Sequence, residues 1–130
     1  MKFQVTETFS NGTSNELGTF ATETQARNFF AEQLKQDGSK PTDTDSLELE
    51  VNKLTLDEDG DIEDIETIES QTLYTEGTID RRNYKDESPI YYGFESVWNA
   101  EKQELEYTFY FQGKKEEGTV LESQLQNWYF

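Results

Sequence analysis

Twenty-eight acidic residues against eleven basic ones leave this chain with a formal net charge of −17, and that imbalance governs any fold it can adopt. Carboxylates are rarely buried without a partner, so nearly all must stay on the surface. Only 32% of the 130 residues are hydrophobic, which is lean for a core. Nine Phe, seven Tyr and two Trp make up for this, because each aromatic carries a large apolar area. A folded core is therefore expected, and full disorder is not. The length suits one domain and leaves room for two very small ones.

The same charge limits the partners. It repels nucleic acid and anionic membrane and steers the molecule towards basic surfaces. No run approaches the roughly 18 apolar residues of a membrane span, and Met1-Lys2-Phe3-Gln4 does not open a signal peptide. A cytoplasmic location is the expectation. The sequon Asn11-Gly12-Thr13 reads as a turn. Cysteine and histidine are both absent. No disulfide framework, cysteine- or histidine-ligated zinc site or thiol nucleophile is available, and the commonest general base near neutral pH is missing. The expectation is a protein that is not an enzyme and carries no cofactor.

Along the chain, Phe3 to Phe9 alternates as a half-buried strand, Ser10-Asn11-Gly12 supplies a turn, and Glu16 to Phe20 makes a second strand. Thr22-Glu23-Thr24-Gln25 fits a capping box. Ala26, Phe29, Phe30 and Leu34 then recur at helical spacing until Gly38 and Pro41 end the helix. Leu47 to Val51 alternates again through Leu54 and Leu56, and Asp57-Glu58-Asp59-Gly60 breaks it. Ile62 to Tyr74 reads as the return strand, although Ile62, Ile65 and Ile68 stand three apart, a spacing that suits a helix. The fold class expected is α+β: a β-β-α-β-β antiparallel sheet with one helix over residues 1–78. A polar linker follows at 79–90 and a β-rich part at 91–130.

The run from Tyr107 to Leu125, Tyr-Thr-Phe-Tyr-Phe-Gln-Gly-Lys-Lys-Glu-Glu-Gly-Thr-Val-Leu-Glu-Ser-Gln-Leu, resembles the later strands of small SH3-like barrels of the Tudor type. That likeness of strand, charged hairpin and turn implies a small barrel in the last 40 or so residues and assigns no aromatic cage. A second resemblance is one of type. A short, Cys-free, acidic β-β-α-β-β chain resembles the small proteins that phages and mobile elements make against host defences. These include the anti-CRISPR and anti-restriction proteins, several of which mimic nucleic acid. It implies a viral inhibitor that works by contact.

The densest acidic stretch is Asp57, Glu58, Asp59, Asp61, Glu63, Asp64, Glu66 and Glu69, with no Lys or Arg between residues 54 and 80. Three readings are open. It can be a hairpin tip with a solvated face. It can be a Ca²⁺ loop starting at Thr55, with Asp57, Asp59, Gly60, Ile62 and Glu66 in register, though Thr replaces the first Asp and helices should flank it. It can also be a phosphate mimic, since carboxylates on alternate strand positions lie about 6.6–6.8 Å apart on one face, and Glu48 and Glu50 could form a row with Asp61 and Glu63 across the hairpin.

Arg81, Arg82 and Lys85 are expected to pair with the chain's own carboxylates. Trp98, Tyr107, Tyr110, Trp128, Tyr129 and Phe130 are candidates either for the core or for a peptide groove, with Trp128 and Tyr129 at the chain end favoured as partner contacts. Glu104 with Glu106 and Glu116 with Glu117 are the nearest approach to a catalytic pair, and nothing in their spacing requires a cleft.

The function expected is an acidic inhibitor that covers a basic, nucleic-acid-binding surface of a host protein, such as a nuclease. The alternative is a peptide-binding or scaffolding module built on the aromatic C-terminal part. The thirds of the chain each carry an acidic excess, so patterning of the surface charge is a matter for the tertiary structure.

Overall fold

The computed structural model describes residues 2–42, 44–82 and 86–125. Strand β1 (Lys2–Phe9) turns at Ser10–Thr13 into β2 (Ser14–Phe20). The turn is held by the Asn11 side chain, which accepts the Thr13 N–H at 3.0 Å, and by Gly12 at φ +89°. Helix α1 (Glu23–Gln33) starts at the expected capping box. Thr22 Oγ1 accepts the Gln25 N–H at 3.2 Å, and Gln25 Oε1 accepts the Thr22 N–H at 3.3 Å. Ala26 and Phe30 pack onto Phe3, Val5, Leu49 and Val51, with Phe20, Phe29 and Leu34 at the rim.

Strands β3 (Ser46–Leu56) and β4 (Ile62–Asp80) pair antiparallel in an irregular register. Leu56 meets Ile62 and Thr55 meets Asp64, so Glu63 is an extra residue. Asn52 meets Thr67 and Val51 meets Glu69, which leaves Ile68 over; Glu48 meets Thr72 and Leu47 meets Tyr74, which leaves Leu73 over. Each bulge adds one residue and resets the strand's parity. Ile62 and Ile65, three apart in sequence, thus face Leu56 and Leu54, which are two apart. The apparent helical spacing is a bulged strand.

Strand β4 continues through residue 78, where the sequence reading ends its first domain, and pairs with β5 (Tyr91–Asn99) from Tyr74 to Asp80. Beyond β5 lie β6 (Glu104–Phe111), the two-residue β7 (Lys114–Lys115) and β8 (Val120–Leu121), both on β6, and a 3₁₀ turn at Glu122–Gln124. One sheet results, in the order β2-β1-β3-β4-β5-β6-β7.

The α+β class is corrected by this architecture. Among the described residues 55% are strand and 12% helix, and the antiparallel sheet curls into half a barrel. Bulges increase the local right-handed twist, and three in one 19-residue strand are the physical reason the sheet curls instead of lying flat beneath a helix. The helix covers only one end. Near the other, Ile79, Trp98, Leu105, Tyr107, Phe109 and Leu125 form their own cluster, and Leu34 and Leu73 pack against both groups.

The chain leaves α1 along the line where β4 and β5 part. Gly38 N–H donates to the Trp98 carbonyl at 2.9 Å, and Trp98 Nε1–H donates to the Leu34 carbonyl at 2.8 Å. A Cβ on Gly38 would stand 3.0 Å from Trp98 N and closer still to the Leu73 carbonyl oxygen, so only glycine fits.

Candidate interaction surface

Pairing of β1 with β3 ends at Lys2 opposite Leu54. Beyond that point β3 and β4 pair only with each other among the described residues, and the hairpin projects from the sheet as a two-stranded arm. Its tip is closed by Asp57, whose Oδ1 accepts the N–H groups of Asp59 and Asp61 at 2.9 Å each. Gly60, at φ +84°, makes the left-handed step. Asp57, Glu58, Asp59, Asp61, Glu63, Asp64 and Glu66 are all exposed, and none has an ion-pair partner among the described residues. Glu69, further along β4, pairs with Arg27 of α1.

One face of the arm is apolar. Ile62 and Ile65 are 53% and 55% exposed, beside half-buried Leu56 and buried Leu54. The sequence reading counted these residues as strand and missed their exposure. Period-two patterning assigns an apolar residue to the core, whereas Leu54 and Leu56 share the parity of Glu48 and Glu50, so they and the paired Ile65 and Ile62 lie on the face of the sheet away from α1.

Glu48 and Glu50 lie elsewhere. Their neighbours across the strands are Thr72 and Ser70 on one side and Thr8 and Thr6 on the other. Asp61 flanks the turn and Glu63 is the bulge beside Leu56, six residues or about 20 Å along the strand from Glu50. The row drawn across the hairpin from the sequence is therefore not formed. Glu48 and Glu50 make a short pair, and the remaining predicted acids gather on the arm.

The calcium-loop reading asks for helices on both sides of the loop, and β3 and β4 stand there. Carboxylate oxygens of Asp57, Asp59 and Asp61 do come within 4.8 Å of one another. All three are exposed, and one Asp57 oxygen already holds two backbone N–H groups. Glu66, the twelfth residue of that reading, is opposite Lys53 on the ladder.

A second carboxylate pair went unrecognised in the sequence. Glu76 and Glu95 are cross-strand partners, bridged by Lys40 at 3.5 and 3.8 Å. They border an open depression of about 440 Å³ with Thr78, Gly93 and Tyr110. Tyr74 donates its hydroxyl to Glu76 at 2.6 Å. Burial, reinforced by that carboxylate, raises the Tyr74 pKa. The group stays protonated, the two Glu share one cation, and nothing here supplies an activated nucleophile. Register alone brings residues 76 and 95 together, and no local signal announces it.

The other candidates have structural partners. Arg81 pairs with Glu116 and lies over Tyr92 and Phe109 at 4.5 and 4.8 Å. Arg82 Nε meets Asp80 at 2.7 Å. Lys85 lies outside the described residues. Glu104 accepts the Ser123 N–H, and Glu106 accepts from Asn99. Trp98 and Tyr107 are core residues and Tyr110 borders the depression, whereas Trp128, Tyr129 and Phe130 lie outside the described residues.

No family model, curated protein or solved structure matches this chain. Among the described residues no helix is long and apolar enough to cross a membrane. Its function has to be argued from its own surface.

Proposed function

We propose that this chain is an interaction protein without catalytic activity, which sets carboxylates against a basic, nucleic-acid-binding surface of another protein. It blocks that surface sterically and electrostatically, in the manner of the anti-restriction and anti-CRISPR proteins it resembles in type. The observation that carries this reading is the projecting arm, with seven exposed carboxylates in residues 57–66 and no ion-pair partner among the described residues. Ten residues folded back on themselves span about 17 Å at strand rise. That is about one charge per 2.4 Å, against one per about 1.7 Å of duplex DNA. Complementary potentials of this kind speed association and set partner choice.

The test is a pull-down with the tagged chain from its source cell, washed at low salt, at about 0.5 M salt where the screening length is about 4–5 Å, and with duplex DNA as competitor. A nucleic-acid-binding partner shed by both high salt and DNA is the expected result. A partner retained undiminished through both washes, with no loss to salt or to DNA, overturns occlusion by charge. It would support instead a peptide-binding module on the C-terminal strands, where Tyr91 and Phe111 are 63% and 38% exposed.

A further inference from the structure

An arm held only by charge has no need of isoleucine, yet Ile62 and Ile65 stand more than half exposed on it, in line with Leu56. Single exposed apolar residues are ordinary, but aligned ones rimmed by polar groups mark contact surfaces. The rim here decides what can lie against them. Asp57, Glu58, Asp59, Asp61 and Glu63 crowd the tip beside the strip, Asp64 and Glu66 alternate to the other face of the arm with Thr55 and Lys53, and Lys2, opposite Leu54, is the basic residue in register with Ile65. Nucleic acid and anionic lipid are repelled. A second copy would bring an equally acidic tip and the same net charge of −17 against it. Buried apolar contact together with this acidic tip fits one occupant, a protein surface with an apolar groove bordered by Lys and Arg.

We propose that the Leu56–Ile62–Ile65 face of the arm docks into such a groove on a basic partner protein. This rests on the function proposed above and adds a division of labour. The carboxylates supply steering and salt-sensitive affinity, and the isoleucines supply a salt-resistant anchor at the centre, as buried hot spots ringed by polar contacts do. Strand pairing makes the anchor rigid, so little conformational entropy is lost on docking.

The experiment uses the full chain, isotope-labelled at isoleucine δ1 methyl groups, and two synthetic peptides of equal length and charge. One alternates Lys with Leu and the other alternates Lys with Ser. Affinities are measured at low salt and at about 0.5 M salt. The Lys–Leu peptide is expected to bind roughly tenfold or more tightly than the Lys–Ser peptide. It should shift the Ile62 and Ile65 methyl signals and keep its advantage at high salt. The double variant Ile62→Thr/Ile65→Thr should lose that advantage and still bind Lys–Ser like the parent. Threonine is β-branched and suits an exposed strand, and far-UV circular dichroism checks the fold of the variant. Equal binding of both peptides by the parent, or methyl shifts confined to other isoleucines, overturns the anchor while leaving the charge-based function standing. Failure of both peptides to bind even at low salt overturns that function as well.

Discussion

Tyr74 has no exposed surface, and its hydroxyl donates to Glu76. Burial is the main cause of its raised pKa, with the Glu76 hydrogen bond adding to it. Its linkage to folding has a definite sign. In the unfolded chain the phenol ionises near its ordinary value of 10.0, whereas in the fold it holds its proton to higher pH. The contribution is complete below pH 10 and declines as pH rises from there through the folded-state value, because unfolding then releases a proton. Urea titrations at a series of pH values from neutrality to above 10 should show stability falling at the alkaline end, with a shallower fall in Tyr74→Phe. An equal slope in the variant would mean that Tyr74 carries none of the effect. The partnership of Tyr74 with Glu76 spans only two residues. Its neighbours across the sheet, Leu47 and Val97, belong to strands distant in sequence.

Helix α1 and strand β4 show how unevenly elements are written in a sequence. The capping box at Thr22 and Gln25 is a local device, complete within four residues, and it appears where it is expected. The bulges of β4 at Glu63, Ile68 and Leu73 are defined only against β3, so the chain alone presents them as a misleading three-residue period. The link from α1 to β3 was half legible. Gly38 reads as a helix stop, and its position against the backbone of Leu73 and Trp98 gives it a second duty. Gly38→Ala forces the methyl into main chain that cannot swing aside. A loss of about 1–3 kcal/mol, the usual cost of overpacking, is expected from chemical denaturation. Unchanged stability would show that β4 and β5 can part further to admit it.

At the scale of the whole molecule, the 28 carboxylates of this short chain repel one another in the folded state more than in the expanded chain. Screening relieves this. The melting temperature should rise as sodium chloride increases from about 0.01 to 0.15 M, over which the Debye length falls from about 30 to 8 Å. A flat or falling response would show that the ion pairs of Arg27, Lys40 and Arg81 outweigh the repulsion. Partner binding should run the other way, weakening over the same salt range, so the two effects separate in one buffer series.

By itself the sequence determined whatever depends on near neighbours or on totals: the acidic surface, the aromatic core, the Asn11-Gly12 and Asp59-Gly60 turns, the capped helix, and the alternation of β1 and β3. The tertiary structure alone decided what depends on register and on where strands end. It joined the two halves in one sheet along β4, curled that sheet through three bulges, placed Glu76 against Glu95, and set Ile62 and Ile65 with Leu56 on the face away from α1, where they are exposed. The reason is physical. Local propensity acts over a few residues, whereas pairing between strands is settled by the fit of distant segments, and a shift of one residue there exchanges what is buried for what is exposed.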